Sequence, residues 1–142
     1  MFTGIKNEMN HPVVHRILSH VAMDNTPEGI AEIIRIYQSD PDSSFYAWIE
    51  KGKTLGICGF AIYTDKARIR IISVAEDARG RGVGGAMVEA LQKIYGKDIE
   101  ADTNDDAVGF YRKRGFVTHE YIHETRGKRY TCILPLQRTV TQ

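Results

Sequence analysis

Four glycines and two arginines fall within seven residues of this 142-residue chain, in the segment Arg79-Gly80-Arg81-Gly82-Val83-Gly84-Gly85. The hydrophobic period changes across it. Ahead of it, three short apolar runs read as strands: Phe45–Glu50, Leu55–Thr64 and Ala67–Val74. Lys51-Gly52-Lys53 and Asp65-Lys66 separate them, so the three form an antiparallel meander. Behind it, Val83, Met87, Val88, Leu91, Ile94 and Tyr95 make a helical stripe that Gly96 closes. The glycines therefore lie between a strand and a helix N-terminus. Bare backbone can turn tightly there and bring its N–H groups against a ligand. A helix start adds partial positive charge, and a phosphate suits it. Arg79 and Arg81 add full charges. The bland alternative is a glycine-rich turn with solvated arginines.

The remaining elements complete an α+β pattern. Residues 10–23 carry Val13, Val14, Ile17, Leu18 and Val21 at helical spacing, with Asn10 as the cap and Pro12 in the first turn. A second helix starts at Thr26-Pro27-Glu28, buries Ile30, Ile33, Ile34 and Tyr37 on one side, and ends at Ser39-Asp40-Pro41-Asp42. Asp98–Asp102 reads as a short strand. Thr103-Asn104-Asp105-Asp106 reads as a capped helix start, Ala107, Val108, Phe110 and Tyr111 as its apolar side, and Gly115 as its stop. Two last strands, Phe116–Glu124 and Lys128–Leu136, flank Thr125-Arg126-Gly127. The chain has the length of one ordinary domain, and one domain over residues 1–142 is expected.

Composition excludes several classes. Apolar residues make up 42% and charged residues 26%, which argues against disorder. The net charge of +1 gives no global attraction to nucleic acid or an anionic membrane. No apolar run approaches the roughly 18 to 20 residues of a membrane span. The N-terminus MFTGIKNEMNHP lacks the layout of a signal peptide. Cys58 and Cys132 sit far apart in strands, as packed, reduced thiols would, and a cytoplasmic location is expected. His11 and His15 are four apart on a helix but no third ligand follows, so no metal is expected.

Three familiar readings of the glycine segment fail. Gly80-x-Gly82-x-x-Gly85 matches the dinucleotide fingerprint, with Glu100 and Asp102 about 20 residues on. In a dinucleotide fold, however, the strand runs straight into the first glycine, whereas Ala75–Arg79 intervene here, and too little chain follows Asp102 for a second half. The phosphate-loop pattern lacks its Lys-Ser/Thr. An RNA-binding RGG segment belongs in polar low-complexity sequence, whereas this one is bracketed by IRIISV and AMVEAL.

Arg79-x-x-Gly82-x-Gly84, after a strand and before an amphipathic helix, resembles the acyl-CoA signature of the GNAT N-acetyltransferase superfamily. Asn104-x-x-Ala107-x-x-Phe110-Tyr111-x-x-x-Gly115-Phe116 resembles that family's second motif, and the pair covers residues 67–120. The closing stretches resemble a subgroup of small, stand-alone bacterial members. The resemblance implies a mixed, mostly antiparallel sheet of six or seven strands with four helices and one splayed strand pair. It implies acetyl-CoA as co-substrate, with the pantetheine arm bonded to main chain at Ile72, Ser73 and Val74. The amides of Arg79, Gly80, Arg81, Gly82, Val83, Gly84 and Gly85 would wrap the diphosphate. Asn104 and Ala107 would lie along the cofactor arm, and Tyr111 would aim its hydroxyl at the sulfur.

The implied reaction is direct acetyl transfer to a primary amine of a small molecule or peptide. An alkylamine near pKa 10.4 is neutral in on the order of one molecule in a thousand at pH 7, so a proton must be removed or the neutral form selected. Backbone N–H groups would polarise the thioester carbonyl, and Tyr111 would protonate the leaving thiolate. Several members carry a glutamate in the strand before the loop, where this chain has Arg68. Asp102 and Glu100, on the neighbouring strand, are the candidate bases. A catalytically silent acyl-CoA-binding module on the same fold is the rival function. Family habit suggests a homodimer, and neither a nucleic-acid nor a membrane partner is expected.

Overall fold

The computed structural model describes residues 1–137; residues 138–142, the end of the span expected as one domain, lie outside the described residues. In chain order the elements are β1 (Phe2–Gly4), α1 (Pro12–Ser19), α2 (Pro27–Ser39), β2 (Ser43–Glu50), β3 (Lys53–Ile62), β4 (Lys66–Val74), α3 (Val83–Tyr95), β5 (Asp98–Thr103), α4 (Val108–Lys113), β6 (Val117–His123) and β7 (Gly127–Leu134). The seven strands form one sheet in the order β1-β2-β3-β4-β5-β7-β6. Every neighbouring pair is antiparallel except β4 with β5. A parallel pair needs a crossover, and α3 supplies it.

Two apolar cores cover opposite faces of the sheet. Alternation along β3 sends Ile57 to one and Cys58 and Phe60 to the other. Helices α1 and α2 pack Ile17, Leu18, Ile30 and Tyr37 on the first face with Phe45 and Ala47. Helices α3 and α4 pack Met87, Leu91, Val108 and Tyr111 on the second with Phe60, Ile69, Ile99 and Cys132. Both cysteines are buried free thiols.

The differences from the sequence reading have local causes. The first helix ends at Ser19 rather than continuing to residue 23, and Val21 is exposed. Its cap is His11, whose Nδ1 accepts from Val13 N–H at 3.2 Å, while Asn10 bonds His15 at 2.9 Å. The expected helix start at Thr103 is the end of β5 followed by a turn, and α4 begins only at Val108. Asn104 holds that turn, its Oδ1 accepting from the N–H groups of Asp106 at 3.0 Å and Ala107 at 3.2 Å. Strand β1 had no reading at all, since three residues are too few to show a period.

One irregularity matters most. On β3 and β4, Gly59 pairs with Ile71 but Phe60 pairs with Ile69. Arg70 is therefore an extra residue in β4, a β-bulge, and such an insertion bends the strand. The parallel ladder to β5 runs only from Lys66↔Asp98 to Ile69↔Ala101. Beyond the bulge β4 stays paired to β3 as far as Val74, but not to β5. The two strands part there.

Candidate active site

The gap between the parted strands is a cavity of about 460 Å³. Ile71, Ile72, Ser73 and Val74 line one side, and Thr103, Asn104, Ala107 and Tyr111 the other. Ala75 N–H bonds Leu55 C=O on β3 at 2.8 Å. Peptide groups alternate in direction along a strand, so those of Val74 and Ile72 point away from β3 and into the gap. Arg79 Nε reaches Val74 C=O from that side at 3.4 Å. A row of strand edge polar groups thus faces open space where a sheet would normally continue.

The glycine turn closes one end. Gly82 precedes α3 with φ of +78°, and a side-chain Cβ built there would meet nothing within 4 Å. The left-handed backbone, not crowding, requires glycine at this position. Gly84 differs: a Cβ would come within 2.6 Å of the Phe110 ring, so its absence lets α3 lie against α4. No side chain caps α3, and its first N–H groups keep the anion affinity of a helix N-terminus. On the outer flank of α3, Gly82, Gly85, Lys113 and Arg114 help line a wider hollow of about 820 Å³.

The residues singled out from sequence fall into three groups. Ile72, Ser73, Val74, Arg79, Gly84, Asn104, Ala107 and Tyr111 share the strand gap. Gly80 and Arg81 are exposed on the turn, Val83 is buried beneath it, and Gly82 and Gly85 face the outer hollow. Glu100 and Asp102 line neither. Glu100 is held by Arg68 and by Lys66 at 3.1 Å. Asp102 accepts from Arg129 Nε at 2.8 Å and from Tyr121 hydroxyl. The Ser73 side chain turns out of the gap and donates to Ile17 C=O at 3.0 Å.

Tyr111 is nearly buried, with Phe110 and Phe116 edge-on at 5.0 and 5.1 Å between ring centres. Burial, with smaller contributions from Cys58 and Cys132, pushes its phenol well above the ordinary tyrosine range. The hydroxyl therefore stays protonated at neutral pH and is a donor, not a base.

Three contributors escaped the sequence reading. His20, at the end of α1, lines the gap with Nε2 3.7 Å from Glu76. Arg114 lies over the Phe110 ring at 3.8 Å beside Gly85, and its buried Nε has no partner among the described residues. Arg70, the bulge residue, also lines the gap. Adjacent Ile71 and Ile72 break the alternation of the strand and were the available signal for a bulge.

Comparisons with known proteins bear on the family and the fold. A model of the acetyltransferase (GNAT) family matches residues 12–116. An uncharacterized N-acetyltransferase from the lysA 3' region of Bacillus methanolicus is 26% identical over 98 residues, covering 68% of this chain and 81% of its own. Among solved structures, an acetyltransferase from Thermus thermophilus superposes with a TM-score of 0.77 at 18% identity over 96% of both chains. An aminoglycoside 6'-N-acetyltransferase complexed with coenzyme A gives 0.73 at 15% identity over 99% of both. At these identities the structural likeness is one of fold. On its family match, the chain belongs to the acetyltransferase (GNAT) family and is an N-acetyltransferase.

Proposed function

We propose that this enzyme transfers an acetyl group from acetyl-CoA directly to a primary amine. The observation that carries the reading is the unzipped edge of β4, leading from the N-terminus of α3 to the buried hydroxyl of Tyr111. An extended amide chain can bond to Ile72 and Val74 as an added strand would. A diphosphate fits the turn from Arg79 to Gly85, where Gly82 leaves the backbone uncovered. These residues fit coenzyme A, and the bound thioester supplies the acetyl group.

In this reading the main-chain N–H groups of the free edge polarise the thioester carbonyl. The amine nitrogen attacks as the neutral base, forms the new C–N bond and gives up one proton to solvent, which restores the one that Tyr111 draws from it. The C–S bond breaks, and Tyr111 donates its proton to the sulfur and recovers one from solvent. Glu100 and Asp102 have their carboxylate oxygens occupied by arginine and lysine. Action as a base would require breaking those pairs, so the reading leans on selection of the neutral amine.

The test is free-thiol release on mixing protein, acetyl-CoA and a broad panel of amines. Amine-dependent thiol release is expected. Coenzyme A binding with no release across the panel would instead leave the silent binding module as the function.

A further inference from the structure

The second half of the sheet has a face that α1 and α2 do not cover, since those helices pack on β2, β3 and β4. Along β5, Ile99 and Ala101 enter the core under α3 and α4. Glu100 and Asp102 therefore point to the opposite face. Cross-strand partners share a face, so Arg68 joins Glu100 there. Arg129 joins it through its bond to Asp102.

The cations on this face are not equally well paired. Glu100 holds two cations, Lys66 and Arg68. Asp102 is matched by Arg129, with Nη2 at 2.7 Å. Arg70 makes its hydrogen bonds to neutral groups, Ser43 hydroxyl at 3.3 Å and Tyr63 hydroxyl at 3.2 Å. Its nearest carboxylate, Asp40, is 3.8 Å away and already accepts from Ser43 hydroxyl and Asp42 N–H. Lys66, Arg68 and Arg129 thus have Asp98, Glu100 and Asp102 as partners or cross-strand neighbours, and Arg70 has only Asp40 at the margin. The cation with no carboxylate within hydrogen-bond distance is the bulge residue itself, at the point where β4 and β5 part. It lines the same gap as Tyr111, and among the described residues no Asp or Glu lines that gap.

We infer that the acceptor is an amine carrying an anionic group a few bonds from its nitrogen, a carboxylate or a phosphate, and that Arg70 selects it. This rests on the acetyl-transfer reading above. The guanidinium fork matches either anion with paired hydrogen bonds. A polyamine or an aminoglycoside would instead bring further positive charge against Arg70 and Arg79, with no carboxylate lining the gap to receive it. Specificity here works by repulsion as well as attraction.

The experiment compares kcat/KM, from thiol release with acetyl-CoA, for glutamate, O-phosphoethanolamine, ethanolamine and spermidine. Wild type is expected to favour an anionic amine over ethanolamine by about tenfold or more, and spermidine least. Whether glutamate or O-phosphoethanolamine leads identifies carboxylate or phosphate. In Arg70→Gln the anionic-to-neutral ratio falls about tenfold; Arg70→Lys keeps part of it, because the charge remains while the fork is lost. In Arg70→Glu the order inverts toward spermidine. Wild-type preference for spermidine or ethanolamine, or an Arg70→Gln variant with the ratio intact, overturns this inference while leaving acetyl transfer standing. Silence toward every amine overturns acetyl transfer and this inference with it.

Discussion

The two halves of β4 have the same neighbour on one side and different neighbours on the other. From Lys66 to Ile69 the strand is bonded to β3 and to β5, and Ala67 and Ile69 are buried. From Arg70 to Val74 it is bonded to β3 alone. The first half is scaffold: its peptide groups are all committed. The second half keeps its shape because β3 holds it, and leaves one row of peptide groups for something else. A rigid element with half its bonding capacity in reserve is a better docking edge than a loop, which would have to be ordered by the ligand.

If that division holds, changes to the scaffold should cost stability and changes to the free edge should cost binding or turnover. The largest effect is expected at Phe60, fully buried on β3 beside the first half. Phe60→Ala should lose about 3–5 kcal/mol in urea melts, with coenzyme A affinity of the folded fraction kept. Next comes Tyr111→Phe, which keeps the ring packing. Turnover should drop roughly a hundredfold while coenzyme A affinity holds; unchanged turnover would remove the hydroxyl from the chemistry. Ile72→Pro deletes an N–H that points into the gap and leaves the β3 side in place. Coenzyme A binding by calorimetry should weaken by about tenfold, one hydrogen bond's worth, and equal affinity would show that the edge is not where the ligand lies.

The alkaline limb of stability sharpens the comparison from the scaffold side. Burial raises the phenols of Tyr37 and Tyr111, and the Tyr37 hydroxyl has no hydrogen-bond partner among the described residues. Their folded pKa values lie above the unfolded value of about 10. Their contribution is whole below that pH and is lost as pH rises beyond it, because the unfolded chain releases protons that the folded chain retains. Denaturation midpoints followed from pH 9 upward should fall, and less steeply in Tyr37→Phe. The smallest effect is expected at the exposed Lys53–Asp77 pair, which touches neither half of β4. Asp77→Asn should leave the melting temperature where it is.

What was legible in the sequence was whatever a short window determines. The period of Val83, Met87, Val88 and Leu91 specified α3, and the glycines before it specified a tight turn with left-handed backbone at Gly82. The cavity-lining set around Tyr111 came from two spaced motifs, each of them local. Non-local register was the illegible part. Nothing near Glu100 in the chain announces that Lys66 and Arg68 will stand opposite it, and Asp102 meets Arg129 only through the β5–β7 pairing. A candidate base read from an acid on a strand is therefore a reading without its partners. Arg70 was hidden for the same reason: its importance comes from being out of step, and only the pairing with β3 reveals the step.

That single surplus residue has a consequence for how such a protein could arise or be undone. Remove it, and Ile71 would follow Ile69 in step with β3, every residue as far as Val74 keeping the face it now presents. The sheet would heal into a more regular and more fully bonded object, with no slot left between its central strands. Here the slot beside Tyr111 opens at a flaw in the lattice, one amino acid long.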